Sequence, residues 1–234
     1  MHFDKTDKVL IVAAHPDDEI LGCGGTISSL SKKGINIRVV FLSEGVSSRF
    51  DLDNVDERKL KEEIKNRRNN SLKALKILGV KNQNIFYEGQ PCCMLDTVPK
   101  LTLTKIIEKH IFDFKPSVIF THYMKDVNID HNITFDSVLA ATRPCKKKFI
   151  KSIYLFEILS STEWNYNAPF QANCFFDISK HINKKISAMK AYKKELKPPP
   201  HPRSEKVIKA LAIYRGAQVE LNFAEAFYLL RTQT

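Results

Sequence analysis

The stretch Lys8-Val9-Leu10-Ile11-Val12-Ala13-Ala14-His15-Pro16-Asp17-Asp18-Glu19-Ile20-Leu21-Gly22 decides the reading of this chain. Its first part, Lys8 to Val12, is a short apolar run with the pattern of a strand buried on both faces. Its last part, continuing through Cys23-Gly24-Gly25-Thr26-Ile27, reads as a turn entering a helix. Between them stand one imidazole and three carboxylates, His15, Asp17, Asp18 and Glu19, where the first strand ends. In open α/β sheets, ligands bind in the crevice at the carboxyl ends of the strands. The cluster therefore points to a zinc or hard-metal site with a carboxylate base beside it.

Outward from this stretch, strands and helices alternate. Residues 19–33 read as a helix ended by Gly34, 35–42 as a second strand, and 55–78 as a long helix capped by Gly79. Residues 84–87 form a short strand, and 96–112 a helix with Leu101, Ile106, Ile107 and Ile111 at roughly helical spacing. A fourth strand covers 116–122, and the next helix stops before Arg143-Pro144, because a residue preceding proline is pushed out of the helical region. Strands follow at 152–157 and 174–178, then a helix at 180–196 and a stiff loop, Pro198-Pro199-Pro200-His201-Pro202-Arg203-Ser204. The last helix covers 205–215, and 224–230 closes the chain as strand or helix. This alternation predicts an α/β fold, Rossmann-like, with three α/β/α layers around a mostly parallel sheet. Residues 1–234 are read as a single domain.

Composition narrows the class. With 234 residues, 43% hydrophobic and 27% charged, the chain is long enough to bury a substantial core. The apolar runs fall far below the roughly 18 residues of a membrane span, and the N-terminus lacks the apolar core of a secretory signal, so the expected location is the cytoplasm. The 5 cysteines are odd in number and include no C-x-x-C pair, so neither a disulfide framework nor a cysteine zinc site is expected. The net charge of +11 is spread along the chain, with only Lys146-Lys147-Lys148 forming a tight cluster. That favours a solvated lysine-rich surface over nucleic-acid binding, and it suits an anionic small-molecule substrate.

Zinc takes His nitrogen and carboxylate oxygen, and its catalytic sites use three protein ligands plus water. His15 and Asp18, on a turn entering a helix, can reach one ion, and Pro16 restrains the His15 backbone. The third ligand must come from elsewhere. His131 is the best candidate, since it follows strand four, the usual neighbour of strand one across the switch point. Asp17 then faces the open position as general base, although sequence alone allows Asp17 and Asp18 to exchange roles. Asp130 is a candidate partner carboxylate beside His131. The simpler alternative, that these acids merely cap a helix, fits poorly with four polar residues directly after an apolar strand.

His15-Pro16-Asp17-Asp18-Glu19 with Asp130-His131 downstream resembles the PIG-L (LmbE-like) zinc-dependent N-acetyl-sugar deacetylases. Further echoes are Glu44-Gly45-Val46-Ser47-Ser48-Arg49, Arg68 before Leu78-Gly79-Val80, and the closing Ala224-Glu225-Ala226-Phe227. The resemblance implies a Rossmann-like fold and one zinc per chain, or another divalent ion in its place, on His15, Asp18 and His131. It implies Asp17 as the base activating water against an N-acetyl carbonyl, and Arg68 against the sugar or its anionic group. The implied partner is an N-acetylated sugar or sugar nucleotide, and a homo-oligomer is left open.

The chain departs from the family at Asn128. Many members carry histidine there, three residues before the metal-binding histidine. Asn can donate to an oxyanion but cannot act as a general acid. Either Asp17 returns the proton itself, or another residue supplies it, for which His201 in the stiff loop is the candidate. Arg143 is a candidate substrate contact, and His122, at the end of strand four, lies close enough to watch.

Two rival functions stand beside this. A nucleotide-binding oxidoreductase would use Glu44 on a ribose, but Gly22-Cys23-Gly24-Gly25-Thr26-Ile27 has isoleucine where the last glycine of the fingerprint belongs. The other is a non-catalytic sugar-binding protein that keeps the fold.

Overall fold

The apolar run after Lys8 becomes β1 (Lys8–Ala13), an inner strand of a seven-stranded sheet. The structure is a computed structural model and describes residues 3–51, 54–144 and 149–233. Cys145 and the Lys146-Lys147-Lys148 cluster lie outside the described residues.

After β1 come α1 (Asp18–Lys32), β2 (Asn36–Ser43), α2 (Glu57–Leu78) and β3 (Ile85–Gln90). They are followed by α3 (Lys100–Phe114), β4 (Val118–His122), α4 (Ile129–Ala141) and β5 (Ser152–Phe156). The chain ends with β6 (Cys174–Asp177), α5 (Ile182–Ala191), α6 (Glu205–Ala217) and β7 (Ala224–Thr232). Strand order is β3-β2-β1-β4-β5-β7-β6; the first five are parallel, and β7 pairs antiparallel with both β5 and β6. The closing segment, which the sequence left between strand and helix, is thus a strand inserted between two others.

Alternate residues of β1 serve two cores. Val9, Ile11 and Ala13 pack with α1, α2 and α5, whereas Leu10 and Val12 pack with α3 and α4. A strand covered on both faces reads as continuous hydrophobicity, which is why β1 was legible. The chain winds outward from β1 through β2 to β3 and then returns to β4, so the crevice at the β1 and β4 carboxyl ends is the topological switch point.

Two predicted helices are shorter than expected. The helix expected from residue 96 begins at Lys100, because Pro99 takes the N-cap position. The helix expected to reach 196 ends at Ala191, where Tyr192 leaves helical geometry and turns its ring into the core.

The glycines of α1 serve packing. A Cβ on Gly22 would lie 2.5 Å from the Phe156 ring, and one on Gly25 would lie 2.7 Å from Ile178. Phe156 is fully buried and has nowhere to move. Gly22→Ala is therefore expected to cost about 1–3 kcal/mol through overpacking. An unchanged urea midpoint would remove the close approach as the reason for glycine there.

Candidate metal centre

His15 sits at the end of β1, with its backbone N–H on Asp18 Oδ2 at 2.8 Å. His131 enters from the first turn of α4, so two elements that flank the switch point converge. His15, Asp18 and His131 each offer a donor atom, and these atoms lie within 4.8 Å of one another. Asp18 Oδ2 is 3.4 Å from His15 Nδ1 and 3.5 Å from His131 Nε2. The site is nearly sealed, with His15 7%, Asp18 1% and His131 1% exposed.

The other nitrogen of each ring is held by a carboxylate. His15 Nε2 lies 2.8 Å from Asp130 Oδ2, and His131 Nδ1 lies 3.2 Å from Asp126 Oδ2. This fixes Nδ1 of one ring and Nε2 of the other toward Asp18, the arrangement that orients metal-binding imidazoles. Asp130 thus serves His15, not the adjacent His131 beside which the sequence reading set it. It is anchored by backbone N–H groups of Cys93 (2.7 Å) and Leu95 (2.9 Å) after β3. Asp126 escaped the sequence reading, although its place four residues past β4 was a usable signal. Burial opposes its ionisation, but bonds from His131, Ser161 and Thr162 outweigh that and hold its carboxyl at about 2.

A divalent ion fits this donor set. Asp18 Oδ1 is buried without a hydrogen-bond partner among the described residues, a costly state for a carboxylate oxygen unless a cation shares it. Burial works against protonated imidazole at His131, yet Asp18 and Asp126 raise its pKa to about 9. The metal-free site thus carries protons that an ion displaces.

His122 is not part of this donor set. Its Nε2 accepts the Ala14 N–H at 2.9 Å, and burial with neighbouring His131 keeps the ring neutral. It stacks on His131, centroids 4.0 Å apart, and so backs that ring.

Asp17 projects beside the centre from a strained backbone, φ 128° and ψ −26°. Side-chain-bearing residues hold such angles only when their surroundings force them to, and such residues cluster at functional sites. Here Asp17 N–H donates to Glu19 Oε2 at 2.8 Å, and Glu19 Oε1 takes the Tyr192 hydroxyl at 2.6 Å. Burial pushes the Asp17 carboxyl up, Arg67 and Arg203 pull it back, and the balance is about 6. Arg203 Nη1 reaches Asp17 Oδ2 at 2.9 Å, and Arg67 Nη1 approaches it at 3.8 Å. Both arginines also pair with buried Glu195, at 3.1 and 2.7 Å, and Arg49 joins it at 2.8 Å.

Several expected contacts fall elsewhere. Arg68 is exposed and lies over the Tyr87 ring, and the arginine that turns to the site is its neighbour Arg67. Helical periodicity decides this: Arg67 shares the buried face of α2 with Ser71, Ala74, Leu75 and Leu78. Asn128 is the N-cap of α4, where its Oδ1 accepts the Asp130 N–H at 2.9 Å. That oxygen is spent on the helix. Arg143 donates from Nε to Ala140 O at 3.1 Å just past α4, whose last residue Ala141 is about 15 Å along the axis from His131. His201 turns its Nδ1 to the Arg203 N–H at 3.0 Å, so it shapes the loop whose Arg203 reaches Asp17. Glu44 binds the N–H groups of Val46 (2.6 Å) and Cys92 (2.9 Å), which removes it as a ribose acceptor. Cys92 and Cys93 lie beside His15 and Asp130, where no thiol was expected.

Asp126→Ala is expected to weaken metal binding by about 10–100-fold, since His131 loses the partner that orients it. A chelator competition that gave the wild-type affinity would show that the Ser161 hydroxyl, 3.1 Å from His131 Nδ1, suffices to hold the ring.

The model of the GlcNAc-PI de-N-acetylase (PIG-L) family matches residues 10–142. A curated relative, the probable N-acetyl-alpha-D-glucosaminyl L-malate deacetylase 2 of Bacillus anthracis, is 24% identical over 195 residues, 79% of each chain. Among solved structures, the N,N'-diacetylchitobiose deacetylase of Pyrococcus horikoshii superposes with a TM-score of 0.73 at 21% identity, covering 98% of this chain and 88% of that one. GalB, the 4-carboxy-2-hydroxymuconate hydratase of Pseudomonas putida KT2440, gives 0.71 at 21% identity, with 98% of each chain covered. At these identities the two structures speak to the fold alone.

Proposed function

Because the chain belongs to the GlcNAc-PI de-N-acetylase (PIG-L) family, we propose that it is a metal-dependent amide hydrolase that removes the acetyl group from an N-acetylated amino sugar. The observation that carries this is the pairing of a three-donor site, His15, Asp18 and His131, with a strained carboxylate beside it. A divalent ion on those donors, zinc in the first instance, supplies a Lewis acid and lowers the pKa of water to about 7. The distal nitrogens of His15 and His131 are held by Asp130 and Asp126, which orients both rings toward Asp18.

Asp17 carries the proton in both directions. Its Oδ2 is oriented by Arg203, and a carboxyl poised at about 6 can accept a proton from the attacking water and release it to the departing amine. This dispenses with a histidine at position 128. The products are acetate and the free amino sugar.

The substrate is an anionic sugar derivative, such as a sugar nucleotide. A cleft of about 240 Å³ beside Arg67 carries Arg49, Lys73, Lys193 and Lys194 against only two acids, Glu63 and Glu195, and the whole chain has a net charge of +11. Residues 1–234 act as one domain on a small molecule, with no nucleic-acid partner. No helix among the described residues is long and apolar enough to cross a membrane. The free thiols of Cys23, Cys92, Cys93 and Cys174 suit the reducing cytoplasm.

The test is acetate release across N-acetylated free sugars, amino-sugar glycosides and sugar nucleotides, with and without chelator, after elemental analysis of the purified protein. Acetate that appears from an anionic member and stops on chelation is the expected result. Metal-independent sugar binding without acetate would replace the enzyme with a binding protein. The GalB likeness adds one arm, because a hydratase on the same fold would turn over an unsaturated carboxylate and release no acetate.

A further inference from the structure

Cys92 and Cys93 follow β3 and stand against the centre without belonging to it. Their Sγ atoms are 3.8 Å apart, well beyond the roughly 2.05 Å of a disulfide. Two thiolates bound to one tetrahedral zinc at about 2.3 Å each would also lie about 3.8 Å apart. A donor atom from each of His15, Cys92, Cys93 and Asp130 falls within 4.8 Å of all the others. Three of these residues are buried, and exposed Cys93 opens the group to solvent.

The backbone supports the arrangement. Cys93 has φ 57°, a left-handed conformation that a residue with a side chain adopts at a cost of about 1–2 kcal/mol. That turn lets the Cys93 N–H bind Asp130 Oδ2 at 2.7 Å while its thiol stays on Cys92. Two cysteines, a histidine and a carboxylate make a donor set that favours zinc over calcium or magnesium.

We propose that Cys92, Cys93, His15 and Asp130 form a second, thiolate-containing zinc position that draws His15 from the first, leaving an ion there on Asp18 and His131. It rests on the reading of His15, Asp18 and His131 as the hydrolytic site. Filling it releases the two thiol protons to solvent, shifts the His15 proton from Nε2 to Nδ1 as the ring leaves the first position, and transfers no electrons. It also breaks the bond between His15 and Asp130 that orients His15 for the first site. Zinc beyond one equivalent therefore inhibits.

The test titrates metal-free protein with cadmium, a thiophilic stand-in for zinc, and reads ions bound per chain and the ultraviolet thiolate-to-metal band. Wild type is expected to bind two ions, the thiolate band accompanying one of them. Cys93→Ser is expected to bind that ion at least about tenfold more weakly, and His131→Ala to keep the band while losing the first position. Acetate release is then followed as zinc is raised. It should fall in wild type past one equivalent and hold in Cys93→Ser. One ion per chain without the band, or a band equally strong in Cys93→Ser, overturns the second position, the latter assigning the band to thiols other than Cys93. If no acetate appears under any condition, the hydrolytic reading fails, while stoichiometry and band still decide the second position.

Discussion

Asp17→Asn keeps its metal and loses acetate release by about a hundred- to ten-thousand-fold, the usual worth of a positioned acid–base group. The ligand donors belong to His15, Asp18 and His131, and an amide at position 17 leaves all three in place. What disappears is the atom that takes the proton. Asn also retains a side-chain oxygen for Arg203, so the loss is chemical, not architectural. Metal loss in Asp17→Asn, with activity surviving in Asp18→Asn, would exchange the two roles.

The same variant has a signature in stability. In the metal-free protein the fold raises the Asp17 pKa from 3.8 to about 6, burial being the main cause. A carboxyl whose folded pKa is raised stabilises most below its unfolded pKa and loses that contribution as pH climbs through the folded value. Metal-free wild type should therefore lose stability relative to Asp17→Asn between pH 3.8 and about 6, with the gap constant above that. Melting temperatures that track each other across the range would mean the arginines fully neutralise the site.

Glu225→Ala is expected to cost about 3–5 kcal/mol, the penalty for stranding a buried charge. Glu225 Oε1 accepts from Lys185 Nζ at 2.6 Å and from the Gly25 N–H at 2.8 Å, and Oε2 takes the Thr26 N–H at 2.7 Å. All of this lies inside the protein, with Glu225 and Lys185 each 5% exposed. The carboxylate is needed there because α1 breaks at Cys23, φ −146°, which frees N–H groups in mid-helix. Removing it leaves the buried Lys185 ammonium with only the Leu21 carbonyl at 2.7 Å and strands two amides. Paired replacement of Lys185 by Met and Glu225 by Leu should cost less than Glu225→Ala, because no charge remains buried alone. Urea unfolding that put Glu225→Ala within about 1 kcal/mol of wild type would mean that water reaches Lys185.

Much of this architecture could be read residue by residue. The β1 run and the helix breaks at Gly34 and Gly79 depend on neighbours in sequence, and they appeared close to where local chemistry put them. The grouping of His15, Asp18 and His131 needed only a strand-end cluster and one long-range pairing, and the topological switch point supplied that pairing. Asn128 and Arg143 were read as reaching for a ligand; in the fold, backbone bonding at the two ends of α4 engages the Asn128 Oδ1 and the Arg143 Nε. The Arg67 and Arg68 pair was readable in principle, because the phase of the α2 apolar face selects Arg67.

The α/β class, the parallel winding about β1 and the grouping of His15, Asp18 and His131 were legible in the sequence. Those properties follow from hydrophobic period and side-chain chemistry, which are local. Only the tertiary structure decided that Asp126 backs His131, that Arg203 orients Asp17, that Glu195 gathers three arginines, and that Cys92 and Cys93 stand against His15. These contacts join loops distant in the chain, and no periodicity encodes which loop ends meet. Their positions are fixed by sheet order and by the paths of the turns.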